Sequence, residues 1–313
     1  MKTIYLDKEE YKEQVPMVAT IGFFDGVHRG HLFLIEQVVA LARQKGMRPA
    51  VITFDRHPRQ VLHPDYQPRL LSTLDEKRGL LSRTGVDVMV VLPFDTRMAS
   101  FSARDFMSKV LAERLNVRLL LIGYDNRFGH NRAESFADYV EFGKELGMEV
   151  MQSAAYRVGE SYISSSVVRE YIGEGDVEAA CEGLGYRYTL EGIVVAGYRN
   201  GHRLGFPTAN LSAVPEGKLI PGNGVYAVEV KLPCDNRLRM GMMNIGIRPT
   251  LGGNELSLEV HIFDYTGDLY GQKVSVSFVK RIRGERKFAS LDALKAQLEA
   301  DKAEILSLNG LKA

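Results

Sequence analysis

The sequence predicts two domains of different fold class, a doubly wound parallel α/β sheet followed by an antiparallel β-barrel. From Met17 to about Gly183, buried apolar strands alternate with amphipathic helices, a pattern typical of a parallel sheet covered on both faces. After Gly185, short strands rich in β-branched and aromatic residues are separated by turns, which favours a barrel. A chain of 313 residues is long enough for two cores. We therefore expect domains over residues 1–183 and 184–313.

Each element of the first domain has a local signal. The apolar run from Val15 to Phe24 predicts a buried strand, and the apolar stripe after it predicts a helix. A further helix is expected to begin near Ser72 or Thr73, with Glu76 placed for a capping box. The remaining elements are strands over Arg48–Phe54, Val86–Phe94, Arg118–Gly123 and Met148–Gln152, and helices after Ser102 and over Ala133–Leu146.

The second domain has five predicted strands and one helix. The helix runs from Ser290 or Leu291 to about Leu308, and its apolar stripe from Leu291 to Ile305 is expected to close the barrel at one side or end. The strands are predicted over Tyr188–Gly197, Gly224–Leu232, Arg237–Asn244, Leu256–Asp264 and Lys273–Ile282.

Composition gives no reason to expect several classes of partner. The net charge is +1, so electrostatics predicts neither a nucleic-acid nor a membrane partner. The two cysteines, Cys181 and Cys234, lie in unlike contexts, which indicates a reducing compartment rather than a disulfide. The N-terminus lacks the apolar core of a signal peptide. We expect a cytoplasmic protein that is a monomer or a weak homo-oligomer.

The stretch IGFFDGVHRGH, which begins at residue 21, joins the first strand to the first helix through a glycine-rich bend. α/β folds bind phosphates at such a bend, because backbone N–H groups at the helix start face the ligand. Gly22, Gly26 and Gly30 allow the backbone to approach closely. His28 and His31 could donate hydrogen bonds to a phosphate whose charge grows during reaction.

The same stretch has other interpretations. A glycine turn between a strand and a helix can be incidental, and two histidines three residues apart can be a surface pair or half of a zinc site. Zinc is disfavoured because no cysteine lies near, Gly30 lies between the histidines and no further ligand pair has metal spacing. Residue chemistry alone favours a nucleotide-phosphate site over an incidental turn.

Three polar loops follow predicted strands of the first domain, over residues 53–59, 123–129 and 161–169. Each is ordinary loop chemistry when taken alone, and a serine run before a helix is first of all an N-cap. Because the carboxyl ends of parallel strands meet at one edge of the sheet, we expect all three beside the glycine bend. Serine hydroxyls, helix amides and Arg169 would together suit a triphosphate.

A second glycine-rich segment, GIVVAGYRNGHRLGFPTAN, begins at residue 192 in the barrel. It is not a P-loop, since no Gly-Lys-Ser/Thr follows, and such loops are more often structural than catalytic. Thr208 and Asn210 nevertheless offer a hydroxyl and an amide oxygen, and both can ligate Mg²⁺. Glu259 lies in an apolar strand, so it is either an edge residue or a carboxylate held for proton transfer. The strand alone does not separate these two possibilities.

These motifs carry a family resemblance. GFFDGVHRGH contains an HxGH signature and resembles the FMN adenylyltransferase module of prokaryotic bifunctional riboflavin kinase/FAD synthetases, in the nucleotidylyltransferase superfamily. TFxxHP, GxDFxFG and SSTxIR follow in the family's order, with Asn126, Ser166 and Val168 in place of an aromatic residue, threonine and isoleucine. LGFPTAN, GVYAV, NxGxRPT and ExHIxD resemble the riboflavin kinase domain, with Asn200 and His202 where basic residues are usual.

For the first domain the resemblance implies a Rossmann-like nucleotidylyltransferase fold with His28 and His31 as catalytic donors. The residues that it assigns to ATP are Gly22, Phe23, Asp25, Gly26, Gly30, Ser164, Ser165, Ser166 and Arg169. The residues that it assigns to the flavin are His57, Pro58, Asp125, Asn126, Arg127 and Phe128.

For the second domain the resemblance implies a riboflavin kinase barrel with a closing C-terminal helix. Thr208 and Asn210 would hold Mg²⁺, and Glu259 would accept the proton of the ribityl hydroxyl. The residues that it assigns to ATP are Gly197, Gly201, Gly205, Pro207 and Asn244.

Together the two resemblances imply that ATP and Mg²⁺ convert riboflavin to FMN, and that a second ATP converts FMN to FAD. Two alternatives differ in what they require. A nucleotidylyltransferase that makes another dinucleotide or a CDP-alcohol would share His28 and His31 but would not need the barrel. A non-catalytic flavin-binding or flavin-sensing protein would need neither Glu259 nor the histidine pair.

Overall fold

The computed structural model divides the chain into two compact units, Met1–Ser165 and Ser166–Ala313. This division falls earlier in the chain than the boundary that we expected near Gly183. The helices between the two positions belong by their contacts to the second unit, where the later one packs on a barrel strand. The structure describes residues 1–6, 12–63, 65–67, 69–124, 126–130, 134–158, 161–196, 205–233, 235, 237–250 and 253–309.

The first unit contains a six-stranded sheet in the spatial order β1-β4-β3-β2-β5-β6, in which every neighbouring pair is parallel. The sheet confirms the predicted doubly wound architecture. The edge strand β1, which pairs with β4, was not predicted, because its short segment has too few apolar residues to give a pattern. The strands are β1 Lys2–Tyr5, β2 Met17–Ile21, β3 Arg48–Phe54, β4 Val88–Leu92, β5 Val117–Ile122 and β6 Glu149–Gln152.

The chain reverses its direction of travel across this sheet at β2. It moves outward from β2 through β3 to β4, and then returns to β5 on the other side of β2 and continues to β6. In open parallel sheets, ligands bind beyond the carboxyl ends of the strands at such a reversal point. The glycine bend after β2 therefore lies where this fold class binds its ligands.

Helices cover both faces of the sheet, because alternate strand residues point to opposite sides. Val38 and Leu81 pack in one apolar cluster, and Phe106 and Tyr139 pack in the other. The helices are α1 Arg29–Lys45, α2 Pro58–Leu62, α3 Leu74–Leu81, α4 Thr96–Ala99, α5 Ala103–Phe106, which continues as a π-helical turn over Met107–Ala112, and α6 Phe136–Glu145. A small hairpin of β7 Arg157–Val158 and β8 Ser161–Tyr162 follows.

The second unit contains a closed antiparallel barrel with the strand order β10-β13-β12-β11-β14-β9, which confirms the predicted class. Strand β10 was not among the predicted strands, because its first residues belong to the glycine-rich segment that was expected to be a loop. The elements are α7 Ser165–Glu174, which begins at the last residue of the first unit, α8 Val177–Leu184, β9 Thr189–Val195, β10 Ala209–Ser212, β11 Gly224–Lys231, β12 Leu238–Thr250, β13 Gly253–Ile262, β14 Lys273–Arg283 and α9 Leu291–Asn309.

Helix α9 packs on the barrel through its second half. Ile305 is fully buried in a cluster with barrel residues, and Leu298 packs against that cluster. Leu291 is 70% exposed, so the prediction that it belongs to the closing stripe was wrong. Asp301 is 1% exposed and accepts hydrogen bonds of 3.1 and 3.0 Å from Nε of Arg283. This ion pair, in which the carboxylate is buried and the guanidinium is 17% exposed, connects α9 to β14. Across the described part of the chain, no helix has the length and apolar character needed to cross a bilayer.

Candidate active sites

The glycine bend after β2 has an unusual backbone. Phe24, Gly26 and Val27 have φ angles of 52°, 74° and 39°. Positive φ is a sterically poor region for every residue except glycine, and poorest for a β-branched one such as valine. Such a conformation persists only where its surroundings determine it fully. The bend must therefore be held by contacts from outside it.

Leu71 and Ser72 supply those contacts, chiefly through the carboxylate of Asp25 in the bend. Asp25 is 2% exposed, and its carboxylate accepts hydrogen bonds from the backbone N–H groups of Leu71 and Ser72. The shortest distance from each of these nitrogens to a carboxylate oxygen is 2.9 Å. The Ser72 hydroxyl in turn accepts a bond of 2.9 Å from the N–H of Gly26. The sequence assigned Asp25 to ATP binding. Its carboxylate faces protein donors, which leaves the backbone of the bend as the part that can face a nucleotide.

His28 and His31 lie together at the start of α1. Their rings are stacked with centroids 3.6 Å apart and planes inclined by 21°. Nδ1 of His28 accepts a 3.3 Å hydrogen bond from the backbone N–H of His31 and so caps the helix. In a neutral imidazole the other nitrogen then carries the hydrogen. Nε2–H of His28 is therefore a donor with a fixed direction.

The serine-rich segment lies against this bend, as predicted for its first members. A side chain at Gly30 would come within 3.2 Å of the Ile163 carbonyl oxygen and of the His28 ring, so a larger residue would force these neighbours to shift by a few tenths of an ångström. The Ser165 hydroxyl donates a 3.1 Å bond to the Asp25 carbonyl. Ser164 precedes it, whereas Ser166 and Arg169 lie farther along α7, in the second unit.

A cavity of about 450 Å³ opens at the carboxyl ends of β2, β3 and β5. It is lined by loop residues that the family resemblance assigned to the flavin, namely His57, Pro58, Asn126, Arg127 and Phe128; Asp125 lies outside the described residues. Much of the remaining wall was missed, because Phe101 and Phe106 belong to a region without any motif. The missed lining residues include Phe54, Phe94, Met98, Phe101, Phe106 and His130.

Asn126 connects two of the loops around this cavity. Its side-chain amide donates a hydrogen bond to the carbonyl of Ile21, at the end of β2. Phe128 stacks on Tyr139 with centroids 4.5 Å apart and planes inclined by 9°. The residue that departs from the family's aromatic pattern therefore holds the loop after β5 against the glycine bend.

Lys77 is a buried cation beneath the same bend, and sequence reasoning gave no signal for it. Its side chain is 2% exposed, and Nζ lies 3.4 Å from the Thr53 hydroxyl and 3.9 Å from the centre of the Phe23 ring. Burial lowers the pKa of Lys77 from 10.5 to about 8, although the negative charge of Asp25 opposes this shift. The ammonium group is thus held mainly by a hydroxyl and an aromatic face.

In the second unit, strand pairing assembles the polar residues. Glu259 on β13 lies directly opposite Asn244 on β12 and directly opposite Asn210 on β10. Residues opposite one another in antiparallel strands share a face of the sheet. These three side chains therefore form one row across three strands. Because β13 is paired on both sides, the interpretation of Glu259 as an edge residue was wrong.

Two hydroxyl groups orient the Glu259 carboxylate. Thr208 donates to Oε2 at 3.2 Å, and Ser257 donates to Oε1 at 3.0 Å. Pro207 precedes Thr208 in the bend that leads into β10. Gly205 begins this bend with a φ of 83°. Gly197 and Gly201, with Asn200 and His202, lie outside the described residues.

Comparison with known proteins identifies the family. A family model described as FAD synthetase matches residues 10–167, and one described as riboflavin kinase matches residues 184–308. A bifunctional riboflavin kinase/FMN adenylyltransferase of Escherichia coli K12 is 38% identical over 94% of this chain and 93% of its own length. Its namesake from Bacillus subtilis 168 is 34% identical over 98% of both chains.

The chain belongs to the bifunctional riboflavin kinase/FMN adenylyltransferase family. It phosphorylates riboflavin to FMN with ATP in its C-terminal part and transfers an adenylyl group from ATP to FMN in its N-terminal part. The products of the second step are FAD and pyrophosphate. Membership confirms the predicted activity and removes both alternatives, the other dinucleotide-forming enzyme and the non-catalytic flavin protein.

A solved structure from Streptococcus pneumoniae, described as a macrolide-efflux protein, has the same fold as this member of the family. It is 30% identical, covers 97% of this chain and 98% of its own, and has a TM-score of 0.87. The description as a macrolide-efflux protein is that of the Streptococcus pneumoniae structure.

Proposed function

We propose that the two activities use separate sites, with adenylyl transfer at the His28–His31 bend and phosphoryl transfer at the Glu259 row. The observation that carries the kinase assignment is the register that aligns Asn210, Glu259 and Asn244. The observation that carries the adenylyltransferase assignment is the stacked histidine pair on the same glycine bend whose Gly22 and Phe23 line a cavity of flavin size.

In the kinase step, Glu259 accepts the proton of the ribityl 5′-hydroxyl while that oxygen attacks the γ-phosphorus of ATP and ADP leaves. General-base assistance of this kind contributes about 10²–10⁴ in rate. The hydrogen bonds from Thr208 and Ser257 fix the direction of the carboxylate. Asn244, beside Glu259, orients the phosphate chain.

The oxygen atoms near Glu259 fit a magnesium ion. Thr208 offers a hydroxyl and Asn210 an amide oxygen, and Mg²⁺ in kinases is bound by few protein oxygens together with substrate phosphates. When bound, Mg²⁺ offsets the negative charge of the phosphates. The described residues contain no cluster of three or more His, Cys, Asp or Glu that could hold a metal by themselves, so a shared site with ATP is the arrangement that we propose.

In the adenylyl step, a phosphate oxygen of FMN attacks the α-phosphorus of ATP and pyrophosphate leaves. No covalent enzyme intermediate is needed, so catalysis consists of alignment and charge stabilisation. His28 donates through Nε2–H, and His31 and the backbone amides of the bend assist it. Ser164, Ser165 and Ser166 contact the pyrophosphate, and the positive charge of Arg169 offsets its negative charge. The aromatic wall of the cavity receives the isoalloxazine ring.

The functional boundary that we propose lies near Gly183, which gives catalytic regions over residues 1–183 and 184–313. The proposed location is the cytoplasm, because both steps consume ATP. Neither a nucleic acid nor a membrane is required as a partner. We propose a monomer or a weak homo-oligomer.

The assignment is tested by separating flavin products after single substitutions. His28→Ala and His31→Ala are expected to slow FAD formation by about 10²–10³ and to leave FMN formation unchanged. Glu259→Gln is expected to slow FMN formation by at least about 10² while FAD still forms from supplied FMN. His63→Ala, an exposed histidine of the first unit, is the control. Loss of both activities in any one variant would contradict separate sites.

A further inference from the structure

His261 is a buried histidine that the mechanism above leaves without a role. It lies two residues after Glu259 on β13, so both side chains point to the same face of that strand. It is 7% exposed, and its ring lies near those of Phe206 and Phe263, with centroids 5.2 and 5.5 Å away. These two neighbours restrict the orientation of the imidazole.

The imidazole of His261 contacts the bend that precedes β10. Its Nδ1 lies 2.7 Å from the carbonyl oxygen of Pro207. A carbonyl only accepts hydrogen bonds, so Nδ1 must carry the hydrogen and donate it. Proline has no N–H, and the carbonyl is therefore the only backbone group of Pro207 that a polar side chain can hold.

Within the described residues, the bend and the start of β10 have further contacts. Thr208 bonds Glu259 at 3.2 Å, and Asn210 pairs with Glu259 on one side and with Val195 of β9 on the other. Before Pro207, no atom of the described residues, chain neighbours apart, lies within 4 Å of the position where Gly205 would carry a Cβ. One strand, β13, thus holds both sides of Thr208, through His261 and through Glu259.

We propose that His261 is a positioning residue of the kinase step. It fixes the Pro207 carbonyl so that Thr208 and Asn210 face the phosphates of Mg·ATP at a constant distance from Glu259. This inference rests on the proposed roles of those three residues. Loss of a residue that orients metal ligands typically costs about 10–100-fold in metal affinity or activity.

Three substitutions of His261 distinguish the contribution of its hydrogen bond to Pro207 from the contribution of the shape of its ring. In His261→Asn the amide nitrogen takes the place of Nδ1, because both atoms are bonded to Cγ. His261→Gln places its amide one carbon farther away, and His261→Leu keeps bulk without a donor. The Gln and Leu variants are expected to need about 10-fold or more Mg²⁺ for half-maximal kinase rate, with a higher KM for ATP and a smaller change in kcat. The Asn variant is expected to stay near wild type.

Hydrogen exchange supplies a readout that does not depend on activity. Peptides covering residues 205–212 should exchange faster in the Gln and Leu variants than in wild type or the Asn variant, without nucleotide present. Adenylyl transfer by the same chain, with FMN supplied, should remain unchanged and so reports that the protein is intact. Equal Mg²⁺ requirements in the Asn and Gln variants, or unchanged exchange in 205–212, would overturn the proposal.

A measurement on the wild-type chain does not depend on how the variants fold. Nitrogen-15 NMR of labelled histidines should show His261 with its hydrogen on Nδ1, and a hydrogen on Nε2 alone would overturn the proposal. Glu259→Gln and Thr208→Ala are assayed in parallel. If those two variants keep full kinase activity, the proposed function fails. If they lose it while His261→Gln behaves as wild type, the role of His261 alone fails.

Discussion

The proposed adenylyltransferase site takes both histidines from the first turn of one helix, whereas the proposed kinase site takes its polar row from three strands. His28 and His31 are neighbours because α1 begins there. Asn210 and Glu259 are neighbours because the barrel closes in one register. A site built from one turn requires contacts that fix the conformation of that turn. A site built from several strands requires the whole sheet to keep its register. The two sites should therefore fail for different physical reasons.

Two buried charged groups, one within the bend and one against it, support the bend of the first site. Asp25 and Lys77 are each 2% exposed, and both contact residues of the glycine bend or of the segment beside it. The second site depends on more distant groups, such as the ion pair of Arg283 and Asp301 that fixes α9 on the barrel. Substitutions in these two groups test whether the contrast is real.

The largest expected effect concerns barrel closure. Asp301→Ala leaves the Arg283 guanidinium, which is 17% exposed, without its carboxylate partner, and breaking such a pair costs up to about 3–5 kcal/mol where it is buried. Kinase activity should be lost at a lower temperature, whereas adenylyl transfer in the same sample should keep its thermal profile. Asp292→Ala, at the exposed start of α9, is the matched control. Equal loss of both activities on heating would contradict the contrast.

The next effect concerns the buried lysine of the first unit. With a folded pKa of about 8 and an ordinary value of 10.5, the unfolded chain binds a proton between these pH values that the folded protein lacks. The free energy of unfolding therefore rises with pH across this window, by about 3 kcal/mol in total from this group.

Lys77→Met removes that dependence. The variant should be more stable than wild type at pH 7, and its advantage should shrink as the pH approaches 10. Urea unfolding followed by hydrogen exchange of the first unit measures it. Lys144→Met, an exposed lysine on α6, should show no such trend. A Lys77→Met advantage that is constant with pH would exclude burial of the charge as its cause.

A smaller loss is expected at Asp25. Asp25→Asn removes the charge that the N–H groups of Leu71 and Ser72 face, and hydrogen bonds to charged groups contribute about 1.5–3 kcal/mol. The first unit should be destabilised by that order, and FAD formation from FMN should fall while FMN formation stays. Asp75→Asn, a largely exposed carboxylate on α3, is the control. An unaffected rate of FAD formation would show that the bend does not need this anchor.

The smallest expected effect distinguishes the positioning of the glycine bend by α3 from the stability that a helix cap contributes. Thr73 and Ser135 each begin a helix with a capping box, and replacing either with alanine should cost about 1 kcal/mol. Helix α3 packs on the glycine bend, so Thr73→Ala should also slow FAD formation. Ser135→Ala should not. Equal rates in the two variants would mean that α3 does not position the bend.

Local signals predicted the first site better than the second. The strand over Arg48–Phe54 and the capping box of Thr73 and Glu76 are confirmed, because apolar runs and caps act within a few residues. The cavity wall was only partly predicted. Phe101 and Phe106 come from a segment that reaches the cavity through tertiary packing, and no spacing in the sequence indicates it.

The second site shows why the rest could not be predicted. Motifs named Thr208, Asn210 and Glu259 individually, but their alignment depends on the register of β10, β13 and β12, which is fixed by pairing across long separations. His261 has no signal of its own beyond its place in a motif. Its bond to Pro207 becomes visible only when the barrel is closed.

The central claim is that one chain holds two sites that work independently, and mixing two variants tests it most directly. His28→Ala supplied with riboflavin should accumulate FMN, and Glu259→Gln supplied with riboflavin should form FAD at least about 10²-fold more slowly than wild type. When the two proteins are combined with riboflavin, ATP and Mg²⁺, FMN released by the first should be converted to FAD by the second. A mixture of the two folded variants that forms no FAD would contradict the account.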